Sequence, residues 1–294
     1  MIDKLELFLA LAQARHFGRA AEAVGVTQPT LSAAIRSLEE DLGVMLVLRG
    51  SRYGGLTPEG KRVLDWARRI VGDARTMRQE LRAARQGLAG NVRLAVIPTA
   101  LTVAARLTSD FARAHPDVHF TVLSATSADI LQSLEDLQID AGISYLDNEP
   151  LGRVVTVPLY AERYVVVLRA DSAHAQVPAL HWGEMEGLPL CLLTPDMQNR
   201  RIIAGHLAAA GVTVDPALET NSTIVLIAQV LQGGFATILP RLAAEIFLSD
   251  SRLRAIPLTE PDASHAVGLI APWREPHTPV ITALLQAARR MATE

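Results

Sequence analysis

Four polar side chains near residue 30 have the chemistry of a surface that reads nucleic-acid bases. They all lie off the apolar stripe of their segment, and they are Gln28, Thr30, Ser32 and Arg36. Amide, hydroxyl and guanidinium groups hydrogen-bond base edges and phosphates; glutamine suits adenine, and arginine suits guanine or phosphate. The pattern predicts contact with duplex DNA, and a solvated surface helix is the plainer alternative.

The surrounding pattern predicts the helices that would hold these side chains. Apolar residues from Leu5 to Ala12 have helical spacing, and a second helix over 19–23 ends at Gly25. Thr27 can then cap a third helix with Pro29 in its first turn. The buried stripe of that helix would be Leu31, Ile35 and Leu38. Two short helices joined by a tight turn predict a helix-turn-helix.

A wing is predicted after the third helix. The strand-like segment 44–48 leads into a glycine-rich loop with two arginines, which suit the narrow minor groove; a plain hairpin is the alternative. Thr57 and Pro58 then begin another helix. The predicted DNA-binding residues are Arg19, Thr27, Gln28, Pro29, Thr30, Ser32, Arg36, Arg49 and Arg52.

A long apolar seam follows the wing, with intervals that alternate between four and three residues. Its members are Val63, Ala67, Ile70, Ala74, Met77, Leu81, Ala84 and Leu88. A 3.5-residue repeat sustained over this length predicts pairing with a second copy of the helix. We expect a dimerisation helix here, and packing of the helix onto its own domain is the alternative.

The distribution of charge along the chain favours a DNA-binding protein, and the composition gives no sign of a membrane protein or a disulfide-rich one. The net charge of −3 combines a basic segment 1–90, with 14 Lys and Arg against 10 Asp and Glu, and an acidic segment 91–294, with 14 against 21. A basic head on an acidic body suits a DNA-binding protein. The sequence has no membrane-spanning run and no signal-peptide core, which predicts a cytoplasmic location. Cys191 is the single cysteine, so no disulfide framework is expected.

The body alternates predicted strands and helices, which indicates an α/β domain. Strands are predicted over 92–97, 119–124, 140–144, 164–168, 190–193, 217–220, 236–239 and 267–271, and helices over 101–114, 127–137, 200–210, 224–233 and 279–291. Ligands of open α/β sheets bind at the carboxyl ends of strands, where helices begin.

Polar clusters at these strand ends predict an effector site. Each cluster alone is more typical of a helix cap, but four together favour a site for a small organic anion held by helix N-termini. Arg200 and Arg201 would assist if they point inward, and solvent-facing positions are the alternative. The predicted site residues are Pro98, Thr99, Ala100, Thr102, Thr126, Ser127, Ser144, Pro195, Met197, Gln198, Asn199, Asn221 and Thr223.

Several stretches of the chain resemble the LysR-type transcriptional regulators. They are 19–22, 26–32, 35–39, Leu42-Gly43, Arg49 and 56–60, in the order and spacing of that family. His16, Gly18 and Val47 depart from its usual pattern. The resemblance implies a winged helix-turn-helix, a two-lobed periplasmic-binding-protein-like body, and effector binding that changes lobe closure and tetramer packing. Segment 190–201 also resembles regulators linked to formate- or cyanate-like acids.

The predicted organisation has three parts. The DNA-binding domain spans 1–58, the linker helix and hinge 59–90, and the effector domain 91–294, with lobe one over 91–160 and 262–294 and lobe two over 161–261. Expected partners are operator DNA, an effector, a second copy in a dimer or tetramer, and RNA polymerase. No membrane, metal or cofactor is expected. Enzyme motifs are missing, and a purely architectural DNA binder would not need so large a body.

Overall fold

The head of the chain is a winged helix-turn-helix, as the sequence predicted. We analysed a computed structural model, which describes residues 1–48, 53–213 and 215–292. The helices of the head are α1 (Ile2–Ala14), α2 (Phe17–Ala23), α3 (Gln28–Leu42) and α4 (Pro58–Gln86). Gly25, with φ 69°, makes the turn between α2 and α3. This left-handed backbone favours glycine.

The predicted wing strand 44–48 is reduced to one antiparallel bridge between Val47 and Leu56. A buried carboxylate organises its base, because Glu39 Oε1 accepts the amides of Leu46 at 2.7 Å and Val47 at 3.2 Å. Close packing also requires Gly60, since a Cβ there would lie 2.1 Å from the carbonyl oxygen of Leu46. The predicted arginines Arg49 and Arg52 lie outside the described residues.

Helix α4 begins as predicted, with Thr57 accepting the amide of Gly60 at 2.8 Å and Pro58 in the first turn. The prediction of one continuous dimerisation seam is wrong in two respects. Val63 and Ala67 pack into the core of the head itself, and Leu88 lies beyond the helix and packs against the core of the body. The repeat of 3.5 residues in the sequence could not show which side chains of α4 face the core of the head and which are exposed.

The body is α/β. Its strands are β1 (Gly90–Val96), β2 (Val118–Ser124), β3 (Ala141–Tyr145), β4 (Val154–Glu162), β5 (Tyr164–Arg169), β6 (Leu180–His181), β7 (Cys191–Leu193), β8 (Leu218–Thr220), β9 (Thr237–Pro240), β10 (Leu253–Thr259) and β11 (His265–Pro272). Its helices are α5 (Leu101–Ala114), α6 (Ser127–Glu135), α7 (Gln198–Ala209), α8 (Thr223–Gly233), α9 (Arg241–Glu245) and α10 (Pro279–Met291). Short 3-10 turns span Pro98–Ala100, Ala173–Gln176 and Trp182–Met185.

Two groups of sheets form the two lobes. Lobe one holds the order β2-β1-β3-β11-β4, and lobe two holds β6-β10-β5-β9 with the pair β7-β8. Strands β1, β2 and β3 run parallel, so their carboxyl ends share one edge of the sheet. The chain passes from lobe one to lobe two between β4 and β5, and returns between β10 and β11. Strands β4, β6 and β10 and helix α9 were not predicted from the sequence.

The chain divides into two compact units. The first is Met1–Gly87 with the segments Glu135–Gln138 and Glu275–Pro279; the second is Leu88–Leu134, Ile139–Arg274 and the chain from Val280 on. Each has its own apolar core, and a further cluster around Val165, Cys191 and Leu239 lies in lobe two. No described helix combines the length and apolar character needed to cross a membrane. No group of three metal-ligating side chains converges among the described residues.

Candidate DNA-binding and effector sites

The amino-terminal face of α3 carries the side chains predicted to read DNA. Gln28, Pro29, Thr30 and Arg36 are exposed and Ser32 is half-buried. Leu31 and Ile35 hold the opposite side of the helix in the core. The helix therefore presents a narrow polar face that fits the major groove in size and chemistry.

Three of the predicted DNA-binding side chains already have local partners. The hydroxyl of Thr27 accepts the amide of Thr30 at 3.3 Å and lies 2.8 Å from the hydroxyl of Thr30. Thr27 is thus the N-cap of α3. Arg19 is exposed and donates to the carbonyl of Ala14 at 3.1 Å, while His16 caps α2 by accepting the amide of Arg19 at 3.2 Å. His16, which departs from the family pattern, fills a capping role.

A buried carboxyl lies where the chain passes from lobe one to lobe two. Glu162 is 1% exposed. Its Oε2 accepts the phenol of Tyr145 at 2.5 Å, and its Oε1 accepts the phenol of Tyr160 at 3.1 Å. Burial raises the pKa of Glu162 to about 7, against the opposing effect of these phenols and of Thr99. We call Glu162, Tyr145, Tyr160, Tyr164 and Asn199 the carboxyl cluster.

Helix α7 reaches this cluster from lobe two. The amide nitrogen of Asn199 donates to the phenol oxygen of Tyr145 at 3.0 Å. Tyr164 lies near both groups, and burial followed by the charge of Glu162 raises the pKa of its phenol. Burial also raises the pKa of Tyr145 and Tyr160. The phenols are therefore neutral hydrogen-bonding groups at any physiological pH.

Several buried polar atoms of the body, two of them in the carboxyl cluster, lack a hydrogen-bond partner of normal geometry. They are Thr99 Oγ1, Thr102 Oγ1, Ser127 Oγ, Ser144 Oγ, Tyr164 Oη and Asn199 Oδ1. Native proteins pair the large majority of buried polar groups, so a concentration of unpaired ones calls for a ligand or water. Thr99 and Ser127 begin helical segments after β1 and β2, and Ser144 is in β3, so these hydroxyls share the edge where ligands bind in such sheets.

Other contacts of α7 also join the lobes. The side-chain amide of Gln198 donates to the carbonyl of Asp147 at 3.0 Å, and Arg201 pairs with Glu149. Deeper along the helix, His206 Nε2 lies 3.0 Å from His265 Nε2. Burial, and then the neighbouring His265, lower the pKa of His206. Helix α7 is thus the element of lobe two that faces the loop after β3 and strand β11.

Family models match nearly the whole chain. The model of the bacterial regulatory helix-turn-helix protein, lysR family, matches residues 2–61. The LysR substrate binding domain matches residues 85–293. The chain belongs to the LysR family of transcriptional regulators. The function class predicted from the sequence is confirmed at this level.

Known LysR-family proteins are similar over most of their length. The chain is 27% identical to the DNA-binding transcriptional dual regulator OxyR of Escherichia coli K12, over 92% of this chain and 88% of OxyR. It is 30% identical to a probable hydrogen peroxide-inducible genes activator of Mycobacterium avium, over 92% and 87%. Full-length OxyR from Pseudomonas aeruginosa shares the fold at TM-score 0.78 and 24% identity, over 98% and 94%. CbnR solved with its target DNA has TM-score 0.59 and 22% identity, over 99% of each chain.

Some predicted effector residues of this LysR-family chain lie in other roles. Thr126 caps α6, because its hydroxyl accepts the amide of Asp129 at 3.0 Å and donates to its carboxylate at 2.8 Å. Pro195 is exposed, and its carbonyl accepts Arg201 at 3.0 Å. Pro98 and Ala100 are buried in the 3-10 turn, and Met197 is buried at the start of α7. No described contact brings Asn221 or Thr223 to the carboxyl cluster, and Arg200 lies 3.8 Å from Glu219.

The sequence analysis missed Glu162 and the three tyrosines, which form most of the cluster of this LysR-family protein. The signal available was the run of β-branched residues in 154–157, which predicts a strand that would have carried Tyr160 and Glu162 toward the polar strand ends. From sequence alone, a glutamate at the end of an apolar strand is expected to be exposed to solvent. The burial of Glu162 depends on contacts from other strands, which the local sequence does not show.

Proposed function

We propose that this LysR-family regulator reads operator DNA through α3 and that a small molecule bound beside the carboxyl cluster changes its DNA binding, in the cytoplasm. The exposed polar face of α3 supports the first part, because its buried side is fully used by the core of the head. The unpartnered buried hydroxyls at the strand ends support the second part, since each would gain a hydrogen bond from a ligand.

Dimerisation through α4 is part of this proposal. Ile70, Met77 and Leu81 are exposed on the helix, with Leu81 at 63%. Large apolar side chains in such a row favour a partner helix over water. In such a dimer, the α3 helix of the second copy would reach the next turn of the major groove. Two of these dimers are expected to form the tetramer.

Effector binding would act through the contacts of α7. Asn199 and Gln198 already bridge to lobe one in this structure. A ligand that adds hydrogen bonds to groups on both lobes favours the closed arrangement by its differential affinity for that state. We infer that lobe closure alters how the dimers pack and so alters the spacing of the DNA-binding heads. Contact with RNA polymerase would follow from this change.

Peroxide is a second candidate effector, because several relatives are named as hydrogen peroxide-inducible genes activators. The single cysteine, Cys191, is fully buried, and burial raises the pKa of its thiol to about 11. Peroxide reacts with the thiolate, and a disulfide needs a second cysteine, so both features weigh against a thiol switch in this chain.

DNA selection tests the main proposal. The purified chain is mixed with a random duplex library, bound duplexes are sequenced, and affinity for the selected site is measured by fluorescence anisotropy. We expect one preferred motif with two half-sites. Arg36→Ala should relax discrimination at one position by about 1 to 3 kcal/mol, because a base contact is lost.

The matched control for this selection is Arg113→Ala, which removes an exposed arginine from α5 of the body and should leave the motif unchanged. Equal binding to all sequences by the wild-type chain would reject sequence-specific regulation. An unchanged motif with Arg36→Ala would reject the base contact assigned to Arg36.

A further inference from the structure

We propose that the effector presents an N–H or O–H donor, on a neutral or cationic group, to the carboxyl of Glu162. Small amines, amides and alcohols are the ligand class, and carboxylates are disfavoured. This inference rests on the proposed effector site and replaces the small organic anion, including the formate- or cyanate-like acids, that the sequence alone suggested.

Glu162 and Asn199 carry hydrogen-bond acceptors that lack donors. A carboxylate offers about four lone-pair positions. Tyr145 donates to Oε2 and Tyr160 donates to Oε1. The hydroxyl of Thr99 also acts on this carboxyl, which leaves about one of the four acceptor positions open. The Oδ1 atom of Asn199 is also buried without a donor. A ligand with donors satisfies these two acceptors. A carboxylate could accept from the unpartnered hydroxyls, but it would bring no donor to Glu162 or to Asn199 Oδ1.

The charge around Glu162 also disfavours an anionic ligand. The charged group that acts on it among the described residues is another carboxylate, Asp147, which raises the pKa of Glu162. Neither neighbouring arginine of α7 has a described contact with Glu162: Arg201 pairs with Glu149, and Arg200 lies 3.8 Å from Glu219 with its Nε buried and without a hydrogen-bond partner. An anion placed here would face a buried carboxylate at low dielectric without a neutralising cation.

The other groups that face Glu162 from neighbouring strands and helices are uncharged or already have polar contacts. Tyr145, Tyr160 and Tyr164 have raised pKa values. His265 lies opposite Glu162 in the register of β4 and β11, and its ring contacts Asn148 at 2.8 Å and His206 at 3.0 Å. His265 Nδ1 is also 3.5 Å from a carboxylate oxygen of Asp147.

The two ligand classes differ in their expected pH dependence. A donor or a cation binds best to ionised Glu162, so its affinity should rise as the pH passes about 7. An anion requires the protonated carboxyl, so its affinity should fall over the same interval. The sign of the pH dependence therefore identifies the class without knowledge of the natural effector.

The experiment uses three probes of nearly equal size: ethylammonium, acetamide and acetate. Thermal unfolding of the full chain is followed with each probe at millimolar concentration, at matched ionic strength, at about pH 6 and about pH 8. We expect ethylammonium and acetamide to raise Tm by about 2 °C or more at the higher pH, and acetate to give no rise there.

Two variants test whether the change in Tm depends on Glu162. Glu162→Gln should abolish the advantage of ethylammonium over acetate. Glu186→Gln removes the same charge from an exposed position of lobe two and should behave as the wild-type chain. The inference is overturned if acetate stabilises the wild-type chain at the higher pH as well as ethylammonium does. It is also overturned if no probe shifts Tm, or if Glu162→Gln keeps the wild-type order.

The DNA selection remains an independent readout. Sequence-specific DNA binding without any response to the probes would reject the ligand class and leave the regulator proposal standing. A response to the probes without sequence-specific DNA binding would reject the regulator proposal and keep the ligand class.

Discussion

The guanidinium of Arg201 holds the carboxylate of Glu149 through two hydrogen bonds, of 2.7 and 2.8 Å. Arg201 is on α7 of lobe two, and Glu149 is in the loop after β3 of lobe one. The same guanidinium donates to the carbonyls of Pro195 and Asp196. The pair is therefore a fixed link between the lobes, but it lies at the surface, beside the buried link formed by Asn199 and Tyr145.

Breaking this surface link should cost little stability. Both side chains are more than a third exposed, so Glu149→Gln should lower the free energy of unfolding by no more than about 1 kcal/mol. A double-mutant cycle with Arg201→Ala, measured by chemical denaturation, gives the coupling energy. A coupling well above that value would mean that the pair is a main determinant of lobe closure.

The stability of the body should depend on the ionisation of Glu162. Its folded pKa of about 7 exceeds the ordinary value of 4.5, so the folded state binds the extra proton between these values. Native stability attributable to this group is present below about pH 4.5 and is lost as the pH rises to about 7. Glu162→Gln should therefore gain about 3 kcal/mol relative to wild type between these limits.

Urea unfolding of both proteins across this interval measures the difference, and Glu186→Gln is the control for loss of charge. A constant difference between Glu162→Gln and wild type at every pH would show that the carboxyl titrates near its ordinary value.

Replacement of glycine by alanine should have opposite effects on stability at two positions. Gly60→Ala places a Cβ 2.1 Å from the carbonyl oxygen of Leu46, so it should destabilise the head by about 1 to 3 kcal/mol. Gly205→Ala meets no atom within 4 Å in α7 and should stabilise the body by about 0.5 to 1 kcal/mol. Chemical denaturation followed by circular dichroism measures both, and a neutral Gly60→Ala would contradict the packing described here.

The exposed row on α4 should control the oligomeric state. Met77→Glu puts a charge on the face proposed to pair with a second copy, so we expect a shift from dimer to monomer in sedimentation velocity. Gln79→Glu adds the same charge to another exposed position of the helix and should leave the dimer intact. A stable dimer of Met77→Glu would place the main dimer contact elsewhere.

The thiol of Cys191 should be unreactive in the folded chain. Its sulfur is buried beside the carbonyl of Leu226, at 3.7 Å, and its pKa is raised to about 11. We expect a thiol-specific reagent to label it only after denaturation, and peroxide to leave DNA affinity unchanged. Rapid labelling of the native protein would restore a thiol switch as a candidate.

Local signals in the sequence were sufficient for the head. The Thr27 cap, the Gly25 turn and the stripe of Leu31, Ile35 and Leu38 each depend on neighbouring residues alone. The same holds for α5 and α10, whose bounds agree with the predictions. The division of α4 could not be predicted in this way, because whether Ile70 or Val71 faces the core depends on where α1 lies.

Only part of the proposed effector site could be predicted from the sequence. Thr99, Ser127 and Ser144 follow or end strands, and this local signal placed them at one edge of the sheet. The surroundings of Glu162 come from residues that are far apart in the sequence. Tyr145 precedes Glu162 by 17 residues, and Asn199, which donates to Tyr145, follows Tyr145 by 54 residues. Burial of a carboxyl depends on such contacts, so charge and ligand class could not be read from spacing.

The two hydrogen bonds that Glu39 accepts at the base of the wing have a mechanical consequence. The donors, Leu46 and Val47, begin the hairpin, while Glu39 belongs to α3. Any tilt that α3 adopts to fit a particular groove is thereby transmitted to the start of the hairpin. If α3 makes the proposed base contacts, we expect a change in operator sequence under the helix to alter the footprint on the flanking DNA as well.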